Sequence, residues 1–356
     1  MKTATMKTAV MYGAGNVGRG FIGQLLYNAG YHTVFVDIDQ AIIDEINDRG
    51  EYPLKIVSND LVHETTIANV CGILGTDGKA VADAVAGCNI LCTAVGVNVL
   101  PHIVQNLADG IQQRSAAGKE LNIIICENKI DADSYLKGMI KSKLDTKYHS
   151  YLENKVGFVE SSVGRMVPVM TDEMKEGNIL KVWAEPFCTL PVSKDAFKGE
   201  IPEIAGLKAE PKFAYYIQSK LFLHNMGHCL TAYLGRLNGY TYIYEAIENE
   251  SIRHIVSSAM NSVAEALSLE HGKPITEVQN YAADLLMRFG NRYLRDTVER
   301  VGRDVQRKLG NNDRLIGAAR LCRKHCIDNT YMKVGIASAL LFGEEYGAAQ
   351  ISLQEL

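Results

Sequence analysis

The sequence contains no apolar run near the roughly 18 residues that a membrane-spanning helix requires. Its amino terminus lacks the apolar block of a secretion signal, so a cytoplasmic protein with no membrane partner is expected. No Cys-x-x-Cys pair occurs: the eight cysteines, at positions 71, 88, 92, 126, 188, 229, 322 and 326, stand apart and read as free, mostly buried thiols. Cys322, His325 and Cys326 come nearest to a metal cluster. That spacing equally suits an ordinary helix, no second ligand pair stands near it, and no metal is expected. Charge of one sign is also missing. Lys and Arg number 37 against 41 Asp and Glu, a net charge of −4, which gives no general attraction to nucleic acid or anionic lipid. Any anion site must therefore be local.

The chain has 356 residues, 47% of them hydrophobic and 22% charged, which is globular composition with material for two domains. The opening Met1-Lys2-Thr3-Ala4 is echoed by Met6-Lys7-Thr8-Ala9 and reads as a short extension or alternative start. From Thr8 the pattern is strand, glycine turn, helix (Asn16 to Ala29) and a second strand, Thr33 to Asp37. Alternation continues with a helix over Gln40–Asp48, a strand over Asn89–Val95, a helix after Pro101 and a strand over Leu121–Cys126. Pro53 to Ile73 suits a hairpin insertion, and Gly157–Val169 and Leu180–Pro186 suit later strands. Strands apolar throughout fit a parallel sheet covered on both faces. Half of the eight prolines fall between Ala184 and Pro211, where the pattern breaks up; beyond them helical periods dominate to Phe342. The expectation is an α/β Rossmann-type doubly wound parallel-sheet domain over 1–190, followed by a mainly α-helical domain over 191–356.

Gly13-Ala14-Gly15-Asn16-Val17-Gly18 matches G-x-G-x-x-G between a strand and a helix. The first glycine permits the turn, the second lets a pyrophosphate approach the backbone, and the third permits close helix-strand packing, with the helix dipole toward the phosphates. Asp37 ends the second strand 19 residues after Gly18, near the spacing at which a carboxylate meets the adenosine ribose hydroxyls. Its charge would repel a 2′-phosphate and select NAD over NADP. Arg19, in the first helical turn, is expected to face solvent or pyrophosphate.

Lys220, Asn225 and His228 lie on the helix that opens the second domain. At about 100° per residue, Asn225 stands about 140° and His228 about 80° from Lys220, so the three share one arc among Leu, Phe and Met. Read from spacing alone, a solvated lysine beside two satisfied polar groups is the plainer reading, and an inner face pointing into one cavity is the alternative.

The pattern Lys-x4-Asn-x2-His, after an amino-terminal Gly-Ala-Gly-Asn-Val-Gly-Arg-Gly-Phe turn, resembles the polyol-specific long-chain dehydrogenases over nearly the whole chain. Cys126-Glu127-Asn128, Thr231-Ala232-Tyr233-Leu234-Gly235 and Glu299-Arg300-Val301-Gly302-Arg303 carry the likeness further. The resemblance implies NAD-dependent, zinc-independent hydride transfer with Lys220 as general base, which must be a neutral amine to take the hydroxyl proton. It implies that Asn225 and Asn128 donate hydrogen bonds to the oxygen as it gains alkoxide character. It also implies that His228 orients Lys220 or a substrate hydroxyl. Gly164, where relatives often carry Asp, and His224, where an apolar residue is usual, depart from the pattern.

From Arg288 to Lys324 nine Arg and two Lys face four carboxylates, a local excess of +7 that leaves −11 for the remainder. If this stretch is helical, Arg300, Arg303 and Arg307 fall within about 60° of one another and, with Lys308, could grip one phosphate. A solvated basic face pairing with Glu299 and Asp304 is the plainer reading; the resemblance favours a sugar-phosphate or polyol-phosphate substrate. A monomer or small homo-oligomer is expected. The rivals are a mannitol 2-dehydrogenase or hexuronate reductase on the same scaffold, a 3-hydroxyacid dehydrogenase, and a dinucleotide-sensing protein without turnover.

Overall fold

The structure, a computed structural model, describes residues 6–345; the repeated opening at residues 1–5 lies outside them. The chain forms two compact units, Met1–Phe213 and Ala214–Leu356. In the first, six parallel strands pair in the order β5-β2-β1-β6-β7-β8: β1 (Thr8–Tyr12), β2 (His32–Asp37), β5 (Val70–Leu74), β6 (Ile90–Thr93), β7 (Leu121–Ile125) and β8 (Val156–Glu160). This is the doubly wound order, in which the chain reverses direction at β1 and leaves a crevice beyond the carboxyl ends of β1 and β6. Both faces are covered, which explains the unbroken apolar runs. Ala9 and Met11 of β1 enter one core cluster with Phe21 and Phe35, whereas Val10 and Tyr12 enter the opposite one with Val34 and Leu107.

The hairpin expected within Pro53–Ile73 forms as β3 (Glu51–Val57) and β4 (Val62–Ala68), antiparallel, with β9 (Val182–Ala184) added in parallel to β3. Helices α1 (Gly23–Asn28), α2 (Gln40–Arg49), α3 (Gly78–Gly87), α4 (Leu100–Ser115), α5 (Ala132–Lys143), α6 (His149–Lys155) and the short α7 (Asp172–Lys175) complete the layers.

The division between units falls after Phe213, later than the expected 190/191. The proline-rich stretch belongs to the first unit: β10 (Leu190–Ser193) and β11 (Leu207–Glu210) pair in parallel, and Leu190 and Val192 are buried in its core. Pro191 is tolerated because it sits in a strand of a two-stranded sheet, where a missing N–H need not interrupt a ladder.

The second unit is helical: α8 (Ala214–Ser219), α9 (Met226–Leu237), α10 (Ile243–Glu248), α11 (Glu250–His271), α12 (Ile275–Phe289), α13 (Val298–Gly302), α14 (Val305–Lys308), α15 (Ile316–Lys324) and α16 (Thr330–Glu345). Helix α9 is buried almost all round, from Met226 to Gly235 except His228, and packs against α10, α11, α13 and α16. A helix apolar on every side belongs at the centre of its bundle. No helix among the described residues is long and apolar enough to cross a membrane.

Candidate active site

The glycine turn follows β1 directly and divides its work among three glycines. Gly13 has φ +108°, and a Cβ there would stand 2.6 Å from the Ala94 carbonyl oxygen, so a side chain is excluded by conformation and by space. A Cβ at Gly18 would approach the Gly13 oxygen to 2.0 Å. At Gly15 a Cβ would meet nothing within 4 Å, which leaves the backbone open to an incoming group. These are the turn, packing and approach roles a pyrophosphate cradle needs. Asp37 closes the turn from β2: its Oδ2 accepts the Ala14 N–H at 2.7 Å and its Oδ1 the Asp39 N–H at 3.1 Å. A carboxylate offers about four acceptor sites, so capacity remains for hydroxyl donors. Asn16 donates Nδ2 to the Pro168 oxygen at 3.0 Å, and Val17 packs on the core.

Arg19 is a correction. Its side chain is buried rather than directed to solvent or phosphate: Nε donates to the Ala14 oxygen at 2.6 Å and Nη1 to the Ile179 and Leu180 oxygens. Burial alone depresses its pKa, with Tyr52, Asp37 and Asp39 opposing. The helix begins at Asn16 but widens into a π turn over Gly18–Ile22, whose Arg19 and Gly20 oxygens are met by Tyr52 Oη at 2.8 Å and Arg165 Nη1 at 3.1 Å. Arg19 and Arg165 thus brace the turn from beneath.

Glu127 joins the carboxyl ends of β6 and β7, a role the sequence reading did not assign. Its Oε2 accepts the Thr93 hydroxyl at 2.6 Å and its Oε1 the Val95 N–H at 2.9 Å. Burial raises its pKa against these bonds. Asn128 follows it and is exposed. The signal was present in Cys126-Glu127-Asn128, where an acid follows a wholly apolar strand.

In the second unit Lys220–Asn225 is a π turn between α8 and α9, not regular α-helix. The 3.6-residue period therefore misplaces these side chains. An i→i+5 turn brings residues five apart close to one turn on, so Asn225 stands nearer the Lys220 face than the expected 140°. His228 follows three residues later on α9. Single π turns in α-helices occur frequently at functional sites.

Asn225 Nδ2 is buried and has no hydrogen-bond partner, and the same holds for His224 Nδ1. A buried donor left unpaired costs about 1–3 kcal/mol. The surroundings keep both imidazoles neutral. His224 is held well below the usual histidine range by burial first, then by the charges of Arg288, His228, Lys220 and Arg314. His228 is pushed down to about 4 by burial, although Asp296 pulls the other way. The His228 ring stacks on Phe289 at 5.1 Å between centroids, and its Nε2 lies 3.5 Å from Asp296 Oδ2. Asp296 Oδ1 accepts from Arg300 Nη2, so this carboxylate, likewise missed in the sequence, ties the basic segment to His228.

The arginine face expected over 300–307 does not form. Helix α13 stops at Gly302, Arg303 turns to an extended backbone, and Asp304 adopts φ +59° before α14 begins. Arg300 pairs with Asp296, and Arg307 lies 3.5 Å from Asp304 and 3.4 Å from Asp313. Arg303 is exposed and forms no ion pair among the described residues. Lys308 is buried and donates to the Val301 and Arg303 oxygens, leaving one of an ammonium's three donors. Burial lowers its pKa to about 8. The possible metal trio also separates: Cys322 is buried, Cys326 is exposed, and His325 Nε2 meets Glu270 at 2.8 Å. Among the described residues no group of three or more His, Cys, Asp or Glu could hold a metal ion.

The family model "Mannitol dehydrogenase Rossmann domain" matches residues 7–206, and "Mannitol dehydrogenase C-terminal domain" matches 212–354. The mannitol-1-phosphate 5-dehydrogenase of Thermoanaerobacter pseudethanolicus is 39% identical over 338 residues, covering 95% of this chain and 86% of that one. Among solved structures, a substrate-free D-sorbitol dehydrogenase superposes with a TM-score of 0.83 at 18% identity, covering 95% of this chain and 81% of its own. The Pseudomonas fluorescens mannitol 2-dehydrogenase, solved as a ternary complex with NAD and D-mannitol, gives 0.76 at 17% identity, with coverages of 95% and 79%. Both show a common fold.

The glycine roles predict a contrast in stability. Gly18→Ala should lower the unfolding midpoint, by the roughly 1–3 kcal/mol or more that overpacking against backbone costs, whereas Gly15→Ala should leave it nearly unchanged. Thermal melts of the two variants check this, and equal midpoints would contradict the assignment.

Proposed function

The chain belongs to the mannitol dehydrogenase family, and on that premise we propose that it is an NAD-dependent oxidoreductase interconverting D-mannitol 1-phosphate and D-fructose 6-phosphate. The observation that carries the reading is the buried Asn225 Nδ2 without a partner, on the same π turn as Lys220. An oxygen gaining negative charge is the partner such a donor lacks, and a preorganised donor gives most where charge develops in the transition state. The relative from Thermoanaerobacter pseudethanolicus supports the choice of substrate.

The residues of the glycine turn, Gly13 to Gly18, fit a dinucleotide: Gly15 leaves the approach open, and Asp37 keeps acceptor capacity for a ribose hydroxyl. Bound NAD supplies the hydride acceptor in oxidation and, as NADH, the donor in reduction. Lys220, as a neutral amine, takes the hydroxyl proton on Nζ while the carbinol carbon loses hydride and its oxygen becomes a carbonyl. Asn225 Nδ2 stabilises that oxygen while it carries alkoxide charge. His228, neutral and fixed between Phe289 and Asp296, orients a hydroxyl or the Lys220 amine without adding charge. For the substrate phosphate the available cations are Arg303 and the remaining donor of Lys308, with Arg300 and Arg307 held by carboxylates nearby.

Purified protein with NADH is expected to reduce fructose 6-phosphate well and fructose or a hexuronate poorly. The reverse order in a substrate panel would move the assignment to an unphosphorylated polyol or a uronate. Lys220→Ala should lower kcat about 10²- to 10⁴-fold, as loss of a general base does, with NADH affinity nearly intact; a parallel loss of NADH binding in fluorescence titration would speak against it. Lys308 is charged below about pH 8 and neutral above it. The KM for fructose 6-phosphate should therefore rise as pH passes through that value, and Lys308→Met should abolish the step. An unaltered profile in Lys308→Met would remove Lys308 from the phosphate end.

A further inference from the structure

The turn between α14 and α15 folds the chain back on itself. The Asp313 N–H donates to the Gly310 oxygen at 2.9 Å, and buried Leu309 and Leu315 pin the two ends. Lys308 precedes this turn and Arg314 closes it, and both side chains are buried. Helix α15 then starts against the π turn that carries Lys220 and Asn225: Phe222 packs on Gly317, where a Cβ would stand 3.0 Å from its ring. Arg314, three residues before Gly317, is thereby brought to the same end of the helical unit. Its charge acts on His224, His228, Cys229, Tyr233 and Lys308, in every case behind burial. One buried guanidinium thus faces the polar side of α9.

Its hydrogen bonds are only partly spent. Asp313 Oδ1 accepts from Arg314 Nε at 2.8 Å and from the Arg314 backbone N–H at 2.6 Å, while Asp313 Oδ2 lies 3.4 Å from Arg307. Nη1 and Nη2, which carry the other side-chain donors, make no hydrogen bond with another described residue. A second orphan stands beside them. Tyr233 Oη is buried with no partner, and after burial and Cys229 the influences upon it are the charges of Arg314, Arg307 and Asp313. Buried polar groups are rarely left unpaired, and charged ones least of all. The free Nη edge presents two parallel donors, the fork that matches two oxygens of one anion. A carboxylate would fill that fork and leave no oxygen for Tyr233 or for the third Lys308 donor, whereas a phosphomonoester has three. Tyr233 lies five residues beyond His228, about 7.5 Å of helix rise. That sets the anion away from the reacting carbonyl, as a phosphate four carbons distant must be. Resting on the sugar-phosphate reading of this site, we propose that Arg314 determines specificity for the phosphate: Nη1 and Nη2 take two of its oxygens, and Tyr233 Oη and Lys308 Nζ take the third.

The test measures kcat/KM of the full chain with NADH for fructose 6-phosphate and for fructose, and takes their ratio. Arg314→Lys keeps the charge but not the fork, and should lower that ratio about tenfold or more, the loss falling on the KM for fructose 6-phosphate. Tyr233→Phe removes a hydroxyl that has no protein partner, so the fold is retained. It should raise the KM for fructose 6-phosphate several-fold more than that for fructose, and it decides the assignment if Arg314→Lys does not fold. The wild-type ratio in either folded variant overturns the proposal and leaves the substrate reading standing. An equal loss on both substrates also overturns it, because an arginine that only supports the fold would act that way. A wild-type enzyme without preference for fructose 6-phosphate removes the sugar-phosphate reading itself, and this inference with it.

Discussion

A carboxamide nitrogen with nothing to donate to is the constraint around which the helical unit is organised. Asn225 Nδ2 is buried, and the helix that follows it, α9, is enclosed by apolar side chains on nearly every side. An unpaired buried donor is tolerated only where something else over-determines it. Here the π turn does so, because its wider ring is locked between α8 and α9. Gly227, immediately after, has room for no side chain: a Cβ would come within 2.7 Å of Met260 Sδ. The unsatisfied amide is thus held in place by close packing.

Charge control follows from the same burial. His224 and His228 stay neutral because desolvation disfavours a positive charge there, and the arginines and lysines around them disfavour it further. The Asp296 carboxylate lies 3.5 Å from His228 and is bound by Arg300 as well, so the imidazole is positioned without being protonated. Lys308 is buried by the same bundle and brought to about pH 8.

Much of this was readable in the residues. The glycine spacing, the strand before it and Asp37 at the end of β2 identified the turn, since each follows from how a backbone must bend to admit phosphates. Counting at 100° per residue placed Lys220, Asn225 and His228 on one helix but misjudged their angles, because periodicity assumes uniform winding and a π turn has no compositional signature. Arg19 was misassigned because sequence gives its position in the helix but not the carbonyls of Ile179 and Leu180, some 160 residues away, that capture it. The arginine face failed for a local reason: Gly302 ends α13 and Asp304 takes a left-handed conformation, and neither residue forbids a helix outright. Prolines between 184 and 211 suggested the domain boundary, yet two short strands there belong to the first unit. Asp296 and Glu127 were overlooked because a single acid beside a basic or apolar run looks like ordinary surface.

The most direct measurement of the central claim is a crystal structure with NADH and fructose 6-phosphate bound. The account requires Asn225 Nδ2 and Lys220 Nζ to lie within hydrogen-bond distance, about 2.7–3.2 Å, of the ketose carbonyl oxygen. A complex in which that oxygen is met by other groups, with the Asn225 amide still unpaired or turned to the protein, would contradict it.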